Sequence, residues 1–358
     1  MKTFCKVIVW ALLSVIMQAA GLIYLEKVYF KETTDVKIQE VQQVVESKDL
    51  NISIPSYAQN IESSFDAKYI SYYDQNKLMV VNTTTSVVKE VVTNDGTEIL
   101  FSGWIPKQNI LIIAEKKHNS DGDSHINLVS YNVKNDVKNQ ITEICPYSDG
   151  MEVDKIVSSI KTGVTYISVS RDGFNSQLYR VEINNNLSAV TKVPSMGDMM
   201  AYQHKDILVY EDSLSQEFYK YTNEKKSKIN TGTYTNLTLL GVTNDNLLMF
   251  GILNNDKVTN IVYGTLDTDI GTWPNLTLEK PKEKKDIFVN SNNEILINDN
   301  LTGKVHNLTT NKNISYEGKF IKLTEKAICS LSEGKVYLKS LEDIDEENST
   351  DATSTVNQ

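Results

Sequence analysis

Thr97-Glu-Ile-Leu-Phe-Ser-Gly-Trp104, Asn109-Ile-Leu-Ile-Ile-Ala-Glu115, Ile126-Asn-Leu-Val-Ser-Tyr-Asn-Val133 and Gln140-Ile-Thr-Glu-Ile144 follow one another within residues 97–144. Each run is rich in Ile, Leu, Val and aromatic residues. Each is bounded by Asn, Asp, Gly, Lys or Pro, the residues that punctuate strands. Helical periodicity is absent. Four antiparallel strands in about 45 residues is the size of one β-propeller blade.

The unit recurs on both sides. Val153 to Ser159, Val164 to Ser170, Gln177 to Ile183 and Ala189 to Val193 form a second copy. Later units hold Ile207-Leu-Val-Tyr210, Leu247-Leu-Met-Phe250, Ile295-Leu-Ile-Asn298 and Ala327-Ile-Cys-Ser330. An earlier unit holds Lys68-Tyr-Ile-Ser-Tyr72 and Lys77-Leu-Met-Val-Val81. Seven units start near 68, 98, 153, 198, 237, 285 and 319. The fold class expected is all-β, a propeller of about seven four-stranded blades carried on an N-terminal transmembrane helix. A pair of β-sandwich domains, near 64–195 and 196–342, is the competing arrangement. The recurring four-strand unit favours the propeller, because radial repetition leaves only short, protected sheet edges. A strand within 50–60 is expected to complete the short last unit and fasten the ring.

Ile167-Ser-Val-Ser-Arg-Asp-Gly-Phe-Asn-Ser-Gln-Leu-Tyr-Arg-Val181 resembles the repeat of TolB-type and dipeptidyl-peptidase-type propellers. In that repeat a strand ends in a Ser-x-Asp-Gly-like turn. Phe101-Ser-Gly-Trp-Ile-Pro-Lys-Gln-Asn is similar to its opening but lacks the Asp-Gly. The resemblance implies the fold; function does not follow from it.

Lys2 and Lys6 precede Val7 to Leu25, nineteen residues without a charge. At 1.5 Å per residue a helix there spans about 28 Å, close to the hydrocarbon thickness. The flanking charges place residues 1–6 in the cytoplasm and the bulk of the chain outside. A cleavable signal peptide ending near Ala19-Ala-Gly21 is the alternative. Residues 26–60 read as a stalk, with a short amphipathic helix near 36–47; residues 61–342 form the propeller; residues 343–358 are an acidic, polar tail too poor in apolar residues to fold alone.

The chain has 358 residues and a net charge of −10, which argues against a nucleic-acid partner. Thirty-four asparagines and only two arginines, Arg171 and Arg180, point to an AT-rich bacterial genome. Nine Asn-x-Ser/Thr triplets are then mostly chance matches rather than glycan acceptors. No Gly-x-Ser-x-Gly, Walker, dinucleotide, His-Glu-x-x-His or Cys-x-x-Cys motif occurs, so no catalytic residue and no cofactor are expected. The histidines His118, His125, His204 and His306 are assigned to separate units. Asn119, Asp121 and Asp123 are weak metal candidates, spaced as in calcium loops but without the bidentate glutamate. Cys145 and Cys329 read as free thiols in strands. These features fit a non-catalytic binding or scaffolding module of the cell envelope, with a protein, peptide or glycan partner. A wall-polymer hydrolase or lyase and a ligand sensor, each with its site in the funnel, are the alternatives.

Overall fold

The computed structural model describes residues 48–93, 96–118 and 122–342, together with helical positions 6, 10, 14, 15, 17–19 and 22. Residues 48–342 form seven four-stranded antiparallel sheets, so the expected seven-bladed propeller is the fold and the sandwich pair does not form. Strand β1 (Lys48–Ser53) comes first. Blade 1 contains β2 (Gln59–Ser63), β3 (Tyr69–Asp74), β4 (Lys77–Asn82) and β5 (Val88–Glu90). Blade 2 contains β6 (Glu98–Trp104), β7 (Ile110–His118), β8 (Ser124–Asn132) and β9 (Val137–Pro146). Blade 3 contains β10 (Met151–Ser159), β11 (Val164–Arg171), β12 (Phe174–Val181) and β13 (Leu187–Val193). Blade 4 contains β14 (Met196–Ala201), β15 (Ile207–Asp212), β16 (Glu217–Thr222) and β17 (Lys225–Lys228). Blade 5 contains β18 (Leu237–Val242), β19 (Leu248–Asn254), β20 (Lys257–Gly264) and β21 (Asn275–Lys282). Blade 6 contains β22 (Ile287–Val289), β23 (Ile295–Asp299), β24 (Lys304–Asn307) and β25 (Lys312–Ser315). Blade 7 contains β26 (Lys319–Leu323), β27 (Ala327–Ser332) and β28 (Lys335–Ser340), completed by β1.

The closing strand is therefore β1, paired antiparallel with β28 through Lys48↔Leu338 and Ser53↔Lys335. Ile52 and Ile54 are buried with Val336 and Leu338 of blade 7 and with Ile70 and Val81 of blade 1. The earliest propeller residues thus join the last blade to the first. Blade 1 opens at Gln59, not near 68. Its first strand, Gln-Asn-Ile-Glu-Ser, is mostly polar because it lines the axis rather than a dry core.

The first strands of the blades, β2, β6, β10, β14, β18, β22 and β26, lie innermost and pack against one another around the axis. Between neighbouring blades sit apolar clusters, such as Ile112, Ile126, Ile167 and Val169 between blades 2 and 3. Tight hairpins turn on pairs of left-handed residues, including Asp172-Gly173, Asn255-Asp256 and Glu333-Gly334, which match the strand twist.

The antiparallel order fixes two faces. The upper face carries the connection into each blade and the hairpin between its second and third strands. The lower face carries the other two turns. β1 rises from the lower face and β28 descends to it, so the propeller begins and ends on the lower face.

The apolar span at 7–25 lies mostly outside the described residues, as do the segment 26–47 and the tail 343–358. Among the described residues no helix is long and apolar enough to cross a membrane.

Candidate functional site

Exposed large apolar side chains stand on both faces, with Val87, Val137 and Ile183 at lower-face turns. Phe174, Leu214 and Leu301 stand on the second hairpins of blades 3, 4 and 6; they are 56%, 69% and 98% exposed. Tyr57 and Val92, also exposed, lie on upper-face connections. Their local chemistry is that of turns: Asp172-Gly173 before Phe174, and Gly303 with its positive φ after Leu301.

A cleft of 820 Å³ lies between blades 1 and 2. Gln59, Asn60 and Glu62 of β2 form one wall. Gln75 and Asn76, on the hairpin of blade 1, form the second. Thr93, Thr97 and Glu98 form the third, with Phe101 and Ile156 deeper in. A Cβ on Gly103 would lie 3.2 Å from Phe101 Cε1, so the glycine gives the ring its space. Tyr73 Oη donates to Ser102 Oγ at 2.9 Å, and Trp104 Nε1 donates to Ser71 Oγ at 3.0 Å, tying blade 1 to blade 2 below the cleft.

A charged cluster bridges three further blades. Asp198 on β14 pairs with Lys155 on β10 and with Lys284, in the turn Lys284–Asp286 that enters blade 6. Burial, and then the charge of Lys155, hold the Lys284 ammonium down to about 8. Burial lowers Lys155 also, against the pull of Glu211, and burial raises the Glu211 carboxyl. Beside Lys155, Asp154 occupies an irregularity in the pairing of β10 with β11. Its carboxylate accepts from Ser168 Oγ at 2.7 Å, Ser170 Oγ at 2.5 Å and Ser176 Oγ at 3.2 Å. Ser168, Ser170 and Ser176 belong to the segment that resembles the TolB-type repeat. What the segment does here is hold a carboxylate of its own blade.

The lower end of the axis is narrower and more apolar. Phe65, Pro106, Leu240, Phe288 and Leu323 line a groove of 310 Å³, and Trp104 borders both this groove and the upper cleft. Lys107 Nζ donates to Asn244 Oδ1 at 3.3 Å, joining the lower turns of blades 2 and 5.

The residues singled out in the sequence do not meet. Asn119 and Asp121 lie outside the described residues; Asp123 is exposed. Among the described residues no group of three or more His, Cys, Asp or Glu is placed to hold a metal ion. His118 and His125 share blade 2 rather than separate units, because Ser124 and His118 face each other across one hairpin. His118 Nδ1 lies 2.8 Å from Ser124 Oγ, and His125 Nδ1 lies 2.7 Å from Glu143 Oε1. His204 sits on a lower-face turn of blade 4, and His306 Nδ1 lies 2.8 Å from Asn313 Oδ1 in blade 6. Cys145 and Cys329 are both free, and burial pushes the Cys329 thiol up to about 12.

No protein-family model matches the chain, and no curated protein matches it. Solved structures do match, and all of those named here are similar in fold. A chain of a mitotic checkpoint complex is similar with a TM-score of 0.51 and 12% identity, over 83% of this chain and 95% of that one. A prolyl endopeptidase is similar with a TM-score of 0.50 and 11% identity, over 80% of this chain and 47% of that one; the chain spans about half of it. A YCF48 protein bound to a D1 peptide gives 0.46 and 13%, over 83% and 97%. The class is thus that of a β-propeller. At such identities the likeness carries the fold and no activity.

Proposed function

We propose that the protein is a membrane-anchored, extracytoplasmic propeller that acts as a non-catalytic binding or scaffolding module of a bacterial cell envelope. The observation that carries this reading is the upper face. Phe174, Leu214 and Leu301 are apolar and exposed at the tips of hairpins that a soluble ring has no internal reason to make apolar. The same face carries a cleft between blades 1 and 2. Rigid scaffolds commonly use such loops to hold partners. One chain of similar fold is part of a mitotic checkpoint complex, which agrees with a role in assembly. The anchor rests on the uncharged run 7–25. Within it the helical residues Trp10, Val15, Met17 and Leu22 expose 71%, 61%, 70% and 68% of their surface, as suits side chains that meet lipid.

The test is crosslinking capture from intact membranes with the full-length protein and with the triple variant Phe174→Ser, Leu214→Ser, Leu301→Ser. A specific envelope protein should be recovered with the first and lost with the second, at unchanged Tm. Equal recovery with both would overturn the reading of the face. Release of the protein from membranes by alkaline carbonate would overturn the anchor.

A further inference from the structure

We propose that the upper cleft between blades 1 and 2 binds an uncharged oligosaccharide. The proposal rests on the reading of the upper face as a binding surface, and it names a ligand class for one part of it.

The first argument is charge. The charged side chains lining the cleft are Glu62, Lys77, Glu90 and Glu98. Each is already paired. Glu62 Oε2 lies 2.7 Å from Lys322 Nζ, Lys77 Nζ lies 2.9 Å from Glu90 Oε2, and Glu98 Oε2 lies 3.5 Å from Lys116 Nζ. Among the described residues the cleft therefore offers a charged ligand no unpaired side chain of opposite sign.

The second argument is the supply of free polar groups. The amides of Gln59, Asn60, Gln75 and Asn76 and the hydroxyls of Thr93 and Thr97 line the cleft on three sides. Gln59, Asn60, Gln75 and Asn76 are exposed and make no side-chain hydrogen bond among the described residues. An amide offers two donors and an acceptor, and a hydroxyl offers both. Sugar hydroxyls are likewise donor and acceptor at once, so a polyol can satisfy such a wall without any ionised group. The Phe101 ring, lying against Gly103, supplies the apolar surface on which the C–H face of a sugar ring can rest.

The third argument is size. At 820 Å³ the cleft lies in the upper part of the range of about 300–1,000 Å³ for ligand pockets, with room for several sugar units. A polypeptide would seek a dry apolar pocket or an unpaired strand edge, and the surface offered here is more polar than apolar, although Ile61, Leu78, Phe101 and Trp104 also line it.

The experiment measures calorimetric binding of chitohexaose, cellohexaose and maltohexaose to the full-length protein in a polyoxyethylene detergent, which carries no sugar head group. At least one should bind saturably. Gln59→Ala with Asn76→Ala, both at exposed positions, should weaken it tenfold or more. Raising the salt to 0.5 M should leave it unchanged, since no ion pair forms. The triple hairpin variant, Phe174→Ser with Leu214→Ser and Leu301→Ser, should bind the sugar normally. No binding by any of the three, binding that the double variant retains, or tighter binding of a neutral Gly-Ser-Asn-Gln peptide would each overturn the proposal. Capture of a protein partner through the hairpin tips would survive that failure, so the two readings fall separately.

Discussion

Lys284 and Asp198 form an ion pair although Lys284 stands at the entry to blade 6 and Asp198 on the inner strand of blade 4. The pair skips blade 5, and Lys155 of blade 3 shares the same carboxylate. One aspartate therefore holds together cations that the chain supplies more than a hundred residues apart. Asp198→Asn leaves two ammonium groups facing each other with Glu211 as the nearest compensation. The expected loss is about 1–2 kcal/mol, less than for a fully buried pair because all three groups keep some contact with water. A thermal melt should show a Tm lower by a few degrees; an unchanged Tm would mean that the lysines do not depend on Asp198.

The depressed ammonium gives a chemical signature. With a value of about 8, Lys284 is about half neutral at pH 8, whereas an ordinary lysine near 10.4 is almost wholly charged. An amine-acylating reagent applied briefly at pH 8 should label Lys284 well ahead of exposed lysines such as Lys77, read by peptide mass spectrometry. Equal labelling of the two would refute the depressed value.

Alkaline stability should turn on the tyrosines. Burial raises Tyr131, Tyr202 and Tyr210 above the ordinary phenol value. A group whose native value is raised keeps its proton longer in the folded chain. Its contribution is therefore complete below about pH 10, the unfolded value, and is lost as pH rises beyond it. Lys284, whose native value is lowered to about 8, acts with the opposite sign: it adds stability between about pH 8 and 10 as the native state sheds its proton first, and Lys155, also lowered, acts in the same sense. Urea midpoints should hold or rise slightly to about pH 10 and then fall. The phenolate absorbance of these three rings, read as the difference between the native chain and its Tyr131→Phe, Tyr202→Phe, Tyr210→Phe variant, should grow in step with loss of the circular dichroism of the sheets; a difference that appears well before unfolding would show the rings to be open to solvent.

Ring closure should be expensive to disturb. Ile52 is 2% exposed and packs into the seam between blades 7 and 1. Ile52→Ala should cost about 2–4 kcal/mol by loss of buried surface and the cavity left behind. A chain starting after Ser53 should expose the edge of β28 and aggregate on heating. Size-exclusion profiles of the two variants separate the outcomes, and wild-type behaviour of the shortened chain would show that β1 is dispensable.

Much of this architecture is legible in residues 97–144 and 153–193, where Ile, Val and Leu mark strands that are buried on at least one face. Legibility fails where a strand faces water. Gln59–Ser63 lines the axis and Lys225–Lys228 forms an outer edge; neither has the apolar alternation that announces a strand. The cleft is less legible still. Gln59, Asn76 and Thr97 are ordinary loop and edge residues in sequence, and only the radial order of the blades sets them around one space. Asp154 shows the same limit: its three serine partners stand out as a repeat, but the carboxylate they hold does not.

Because β1 starts and β28 ends on the lower face, the first residue of the one lies beside the last turn of the other, as the register Lys48↔Leu338 records. A pull between the two ends of the chain would therefore not shear this pair. It would load the hydrogen bonds one after another, as a zip opens, so the ring resists heat through its buried seam yet should yield mechanically at low force.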